Sequence, residues 1–221
     1  MMERTLEPEL MNDENQAKAY AFADFSEPHD LFLDKFQEKF PGLSYNDVML
    51  DLGCGPCDIT RRLACAYPDA SFHAVDGAAA MLKYGQELNE QAGLSSRIKL
   101  IETCLPQVEL PQKYYHLIIS NSLLHHLHNP VDLWATIQQH AKPYASVFVM
   151  DLMRPSDEAT VRYFSQEYAK NEPYILKRDF EKSLRAAFTI EEVRQQLGEI
   201  GLAQLNVEEA SDRHMLIYGV I

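Results

Sequence analysis

Val48-Met49-Leu50-Asp51-Leu52-Gly53-Cys54-Gly55-Pro56-Cys57-Asp58-Ile59-Thr60 is the stretch on which the fold turns. It starts as a short apolar run, breaks at two glycines and then takes up helical spacing. Ile59, Leu63 and Ala66-Tyr67 fall on one face until Pro68 stops the pattern. The local plan is strand, tight turn, helix. A helix N-terminus beside such a turn presents unpaired N–H groups and the positive end of the helix dipole. Gly53 and Gly55 have no Cβ, so a ligand can approach the backbone there.

Three chemistries compete for the turn. A dinucleotide fingerprint, G-x-G-x-x-G, would use Gly53 and Gly55, but Asp58 stands at its third glycine and would set negative charge beside a pyrophosphate. Cys54-Gly55-Pro56-Cys57 is identical to the thioredoxin active-site tetrapeptide and lies between a strand and a helix. Asp51-Leu52-Gly53 precedes it in place of an aromatic, and 221 residues are too many for a lone thioredoxin. A disulfide between Cys54 and Cys57 would tighten the turn and lower ligand binding. The third chemistry is a cationic, non-phosphate ligand, which Asp51 at the strand end would favour.

Leu50 to Pro56 resembles motif I of the class I S-adenosylmethionine-dependent methyltransferases. The resemblance implies that Asp51 helps hold the methionine part of the cofactor and that Gly53, Cys54 and Gly55 pass beneath it. The family usually has glycine where this chain has Cys57, a replacement that suits a position needing no positive φ. Ser71 to Asp76 reads as the next strand, and Asp76 ends it roughly 20 residues beyond the turn, where an acid can accept both ribose hydroxyls. Asp76-Gly77-Ala78-Ala79-Ala80-Met81-Leu82 resembles motif II, with Met81 packing on adenine; taken alone, Met81 reads as core. Ile98 to Thr103 is a third strand. Relatives carry an adenine-binding aspartate where this chain has Thr103 and Cys104, which leaves the backbone of Cys104 and Leu105 to read the adenine edge. Tyr115 to Asn121 is a fourth strand in a region resembling motif IV, so Asn121 is expected at the reactive end of the cofactor.

The N-terminal part reads as two helices broken near Ser26-Glu27-Pro28, the second carrying Leu33, Phe36 and Phe40 on one face and ended by Pro41-Gly42. In the family such helices form a lid over the methyl group, with Tyr20 toward the methionine carboxylate or the substrate; the plainer account has the second helix covering a sheet edge. Asn129-Pro130 opens a helix as N-cap and N1, with Val131, Trp134, Ile137 and Ala141 as its apolar face. A fifth strand spans Ser146 to Leu152, followed by an insertion from residue 153 to 188. Thr189 and Glu192 make a capping box, and strands from Gln204 to Glu208 and His214 to Tyr218 close the chain. This alternation predicts an α/β, Rossmann-like, seven-stranded, mostly parallel sheet with an antiparallel last strand, helices on both faces and an N-terminal helical lid. A single domain is expected, divided into the lid (1–44), a cofactor-binding half (45–152), a substrate cap (153–188), and a last helix with its terminal hairpin (189–221).

A net charge of −13 argues against a nucleic-acid backbone or an anionic membrane surface as partner. No apolar run is long enough to span a bilayer, the N-terminus lacks a signal-peptide pattern, and four scattered cysteines are too few for a disulfide framework. A cytoplasmic setting is expected, and a homodimer is compatible with it.

A methyl on sulfonium is already activated, so the protein chiefly has to align a nucleophile and exclude water. A base matters only when the acceptor must lose a proton, and His125 or His126 is the candidate. No metal is expected at His125-His126-Leu127-His128, since the sequence places no Cys or Glu at a supporting spacing. Arg154 and Arg178 stand out in an acidic chain as candidates to bind an acidic group on the acceptor. The function expected is methyl transfer from S-adenosylmethionine to a small-molecule acceptor, leaving S-adenosylhomocysteine. Other chemistry on the same cofactor, such as carboxymethyl transfer, and non-catalytic binding of cofactor or partner stay open.

Overall fold

The computed structural model describes residues 2–42 and 46–221. The expected boundary between residues 44 and 45 lies outside the described residues. Seven strands form one sheet in the order β3-β2-β1-β4-β5-β7-β6. They are β1 (Val48–Leu52), β2 (Ser71–Asp76), β3 (Ile98–Glu102), β4 (Tyr115–Asn121), β5 (Ala141–Leu152), β6 (Asn206–Glu209) and β7 (His214–Val220). All neighbours pair in parallel except β7, which runs antiparallel to both β5 and β6. The expected fold class is the one observed.

Alternation along the strands sends side chains to opposite faces. Leu50, Leu52, Ile118, Val147 and Val149 meet α5 (Val131–His140) and α8 (Ile190–Glu199) on one face, around buried Trp134. Met49, Phe72, Leu117, Ile119 and Phe148 meet α2 (Ser26–Lys39) and α3 (Asp58–Ala66) on the other. Trp134 Nε1 donates to Gln196 Oε1 at 3.0 Å, so the largest core side chain has its polar atom satisfied. The Thr189–Glu192 capping box forms as expected.

Several boundaries differ from the sequence reading, each for a local reason. Ser26 and Pro28 open α2 rather than break it, and the break falls between α1 (Glu14–Ala21) and Ser26. Phe32 and Phe36, with His29, form the buried face of α2. Their rings stand 4.9 and 5.3 Å from Phe148, so the helix covers the face of the sheet, not its edge. On α3 the buried face is Ile59, Thr60, Leu63 and Ala64, while Ala66 is exposed. Pro130, not Asn129, caps α5, because the Asn129 side chain donates to Asp132 Oδ1 instead of capping. Ala141 begins β5 rather than ending α5. It pairs with Tyr115, and a register shift between Tyr115 and Leu117 absorbs the residues before Ser146. The insertion holds α6 (Glu158–Tyr168) and α7 (Tyr174–Ala186); α4 (Ala79–Gln91) follows β2.

β1 has β2 on one side and β4 on the other, so the chain order reverses beside it. In an open α/β sheet that reversal opens a crevice at the carboxyl ends of the strands. Asp51, Asp76, Asn121 and Asp151 all lie at those ends.

Candidate active site

The glycine turn is held against β2. The N–H groups of Gly53 and Cys54 both donate to the Val75 carbonyl, at 2.8 and 2.9 Å. Gly53 has a φ of +74°, and a Cβ there would lie 2.8 Å from the Leu123 side chain. Gly55 has a φ of +51° and donates its N–H to Asp76 Oδ2 at 2.8 Å. Asp76 Oδ1 accepts from Ala78 N at 2.8 Å, so one carboxylate ties the turn to the start of α4. Burial pushes the Asp76 carboxyl up, and the N–H groups of Ala78 and Gly55 oppose that shift. Gly77 runs beside Leu10 and Cys104, leaving no room for a side chain.

Cys57 has a φ of +63° and serves as the N-cap of α3. The position that the family fills with glycine therefore does lie in the left-handed region, so the condition under which the replacement would be free is not met, and cysteine adopts that region at a cost of about 1 kcal/mol. Cys54 and Cys57 are both buried free thiols. Burial, with Cys57 close by, pushes the Cys54 thiol well above its ordinary range. A redox cysteine needs the opposite, an accessible thiol of lowered pKa, so the thioredoxin-like letters here carry packing rather than thiol chemistry.

Asp51 is buried at the end of β1 and accepts from Thr60 Oγ1 at 2.5 Å. Burial raises its carboxyl to about 7, against the Thr60 hydrogen bond. Asn121 Oδ1 is buried with no hydrogen-bond partner among the described residues. It is an acceptor placed where a donor from a ligand would satisfy it.

These groups line a cavity of about 230 Å³ with Tyr20, Met81, Thr103, Cys104 and Leu105. A second cavity of about 400 Å³ adjoins it and shares Tyr20, Asn121, Ser122 and His126. The residues between α1 and α2, from Asp24 to Phe25, wall both, so the N-terminal helices sit over the site as expected of a lid. Burial raises the Tyr20 hydroxyl to about 12, which keeps it neutral.

His125 is buried, and its Nδ1 lies 2.5 Å from Asp151 Oδ1. Asp151 also accepts from the N–H groups of Leu124 and Leu152, each at 2.7 Å. Burial alone would lower the His125 pKa, but the Asp151 carboxylate outweighs it and raises the net value. His126 lines both cavities, and burial beside His125 pushes its imidazole down to about 3. His128 instead fastens the N-terminal segment: its Nε2 lies 2.9 Å from the Glu7 carbonyl, and its N–H donates to Glu9 Oε1 at 2.9 Å.

Two expected substrate residues stand away from the cavities. Arg154 is buried and donates to the Ala187 carbonyl at 3.0 Å and to Glu192 Oε1 at 2.5 Å, tying β5 to the start of α8. Arg178 is exposed and pairs with Asp179. A lone cation in an acidic chain finds a neighbouring carboxylate more readily than a ligand. Arg213 is the arginine that reaches the second cavity, and Glu27 and Asp212 already engage it. Sequence reasoning also missed His29 and Asp58, which pair at 2.6 Å on the wall of the first cavity, and Leu10 beside Gly77. Helical spacing could have placed His29 on the same face as Phe32 and Phe36; nothing in the sequence marks Leu10.

Residues 49–144 match the family model described as a methyltransferase domain. Within those residues lie the glycine turn, Asp51, Asp76 and Asn121, and the fold is that of class I methyltransferases. A trans-aconitate 2-methyltransferase from Mycobacterium ulcerans is 30% identical over 135 residues, covering 59% of this chain and 46% of that protein. The chain thus spans about half the length of the curated relatives it matches. Among solved structures, a SAM-dependent methyltransferase from Aquifex aeolicus superposes with a TM-score of 0.68 at 19% identity, covering 95% of this chain and 98% of that one. The plantazolicin methyltransferase BpumL, in complex with a triazolic desmethylPZN analog and SAH, superposes with a TM-score of 0.70 at 14% identity, covering 94% and 91%. At these identities the structures show a shared fold, and the glycine turn at its switch point lies within the residues that match the family model. No helix among the described residues is long and apolar enough to cross a membrane.

Proposed function

We propose that the chain transfers a methyl group from S-adenosylmethionine to a small-molecule acceptor. The observation that carries this reading is the pairing of two adjoining cavities across Tyr20, Asn121 and His126, with the glycine turn, Asp51 and Asp76 in only one of them. One cavity is built for a nucleoside with a cationic tail, and the other is free for an acceptor. S-adenosylmethionine, when bound, supplies a methyl already activated on sulfonium. Asp76 would hold the ribose hydroxyls with its remaining lone pairs, and Met81 would pack on the adenine. Thr103, Cys104 and Leu105 would border the adenine edge. Asp51 and the unpartnered Asn121 oxygen would receive the cationic end. The chain's own work is then to orient the acceptor and keep water out, by means of Tyr20 and the segment after α1.

The acceptor cavity is lined by Asp24, Glu27, Glu167, Glu172 and Asp179, against one arginine that is already paired. Such a wall opposes an anionic acceptor of the kind named for the mycobacterial relatives and favours a neutral or cationic one. The reading places the enzyme in the cytoplasm, acting on a soluble metabolite.

Thermal unfolding with S-adenosylmethionine, S-adenosylhomocysteine and NAD tests the cofactor. A rise in melting temperature is expected with the first two and none with NAD. Radiolabelled methyl transfer to a panel of amines, alcohols, thiols and carboxylates then tests the acceptor. A carboxylate turned over above the rest would overturn the preference argued from charge, and a shift with NAD alone would overturn the cofactor.

A further inference from the structure

Glu7 comes together with His125 and His126, the two histidines that line the second cavity, although no sequence spacing links it to them. Glu7 Oε1 lies 3.6 Å from His125 Nε2 and 3.4 Å from His126 Nδ1. All three atoms lie within 4.8 Å of one another. Those separations are longer than good hydrogen bonds between such groups. They are close to the edge of a tetrahedron around a cation, about 3.4 Å for metal–ligand bonds of about 2.1 Å.

The protonation pattern points the same way. With the Nδ1 proton of His125 given to Asp151, its Nε2 carries a lone pair, and that lone pair faces a carboxylate oxygen. When that imidazole is neutral, the two opposed acceptors need a positive species between them, a proton or a metal cation. Asp151 is itself fixed by the Leu124 and Leu152 N–H groups, an arrangement that orients a ligating imidazole from behind. Ser183 Oγ donates to Glu7 Oε1 at 3.0 Å and holds the carboxylate in place. The Arg4 guanidinium donates to the carbonyls of Ala186, His125 and Leu127.

We propose that Glu7, His125 and His126 bind one divalent first-row transition cation, zinc or one of similar donor preference, with its fourth position open to the second cavity. Two imidazoles and a carboxylate with one open place form the donor set of a catalytic rather than a structural zinc site. His125 and His126 line that cavity, so an oxygen, nitrogen or sulfur atom of a bound acceptor can reach the open position. The earlier expectation of no metal rested on the lack of a supporting carboxylate near the histidines, and Glu7 supplies one from the N-terminal segment. Cation binding by these three side chains does not depend on methyl transfer, whereas the acceptor's place at the open position rests on it.

The test is calorimetric titration of the full chain, stripped with chelator, with zinc chloride alone, together with the visible spectrum of the cobalt-loaded protein. One saturable site is expected, with tetrahedral cobalt bands and no thiolate charge-transfer band. Glu7→Gln and His126→Gln should each weaken zinc binding at least tenfold while keeping the wild-type circular dichroism. If Glu7→Gln fails to fold, His126→Gln, at the more accessible of the two histidines, decides alone. No saturable binding, unchanged affinity in the folded variants, or a thiolate band that traces the metal to Cys54 and Cys57 would each overturn the proposal.

Discussion

The carboxylate of Asp51 and the hydroxyl of Thr60 meet at 2.5 Å beneath the glycine turn, both buried, and that contact joins the end of β1 to the first turn of α3. One neutral hydrogen bond cannot compensate for burying a charge, which is why the Asp51 carboxyl titrates at about 7.

This predicts a pH dependence for cofactor binding. The folded-state pKa lies above the ordinary value, so the carboxyl is protonated below about 7, and a cation can bind only as the proton leaves. Affinity for S-adenosylmethionine should fall by up to tenfold per pH unit below about 7 and level off above it. Calorimetry at pH 6 and pH 8, in buffers of different ionisation enthalpy, should show proton release. Asp51→Asn should bind weakly with a flat profile, and equal affinity of the wild type at both pH values would assign the shift to another group.

Asp76→Ala removes the carboxylate that ties Gly55 to Ala78 and leaves both N–H groups without their acceptor. Loss of two charge-assisted hydrogen bonds to a ribose is worth about 2–3 kcal/mol, or about 30- to 150-fold in cofactor dissociation constant. Asp76→Asn should keep more of the turn than of the affinity. Separate measurements of melting temperature and binding distinguish the two effects.

Gly53→Ala should destabilise by about 2 kcal/mol, through the left-handed φ and the Cβ set 2.8 Å from Leu123. Adding Leu123→Ala removes the contacts with the Leu123 Cδ atoms but keeps the one with its Cβ, and the backbone strain stays. Part of the loss should therefore return in a denaturant titration of the double variant.

The four cysteines should divide in thiol labelling. Cys65 and Cys104 are exposed and should react at once, whereas Cys54 and Cys57 are buried and should react only on unfolding. Cofactor affinity should accordingly be the same in reducing and mildly oxidising buffer. A fall on oxidation would restore the disulfide hypothesis for the turn.

The sheet was legible because β1, β2 and β4 are apolar runs ended by turn residues, signals that need no tertiary information. Asp51, Gly53, Gly55 and Asp76 were legible for the same reason: type and spacing are local. Arg154 was misplaced because an arginine in an acidic chain looks unsatisfied in sequence, while in space Glu192 lies within hydrogen-bond reach. Cys57 shows the same limit for the backbone, since its letter conceals a conformation that glycine would have announced. Residues 7–11 carry no periodicity and no motif. Their place depends on contacts with His128 and Ser183, which only the folded chain brings near.

That same segment reaches both cavities. Glu9, Leu10 and Met11 wall the first, and Met11 also lines the second, where Glu7 faces His125 and His126. The segment is already fastened to His128 and Ser183, so a ligand on either side meets the same wall. A displacement of that wall by one ligand changes what the other must accommodate. The two occupancies are thermodynamically linked, by the same factor whichever comes first.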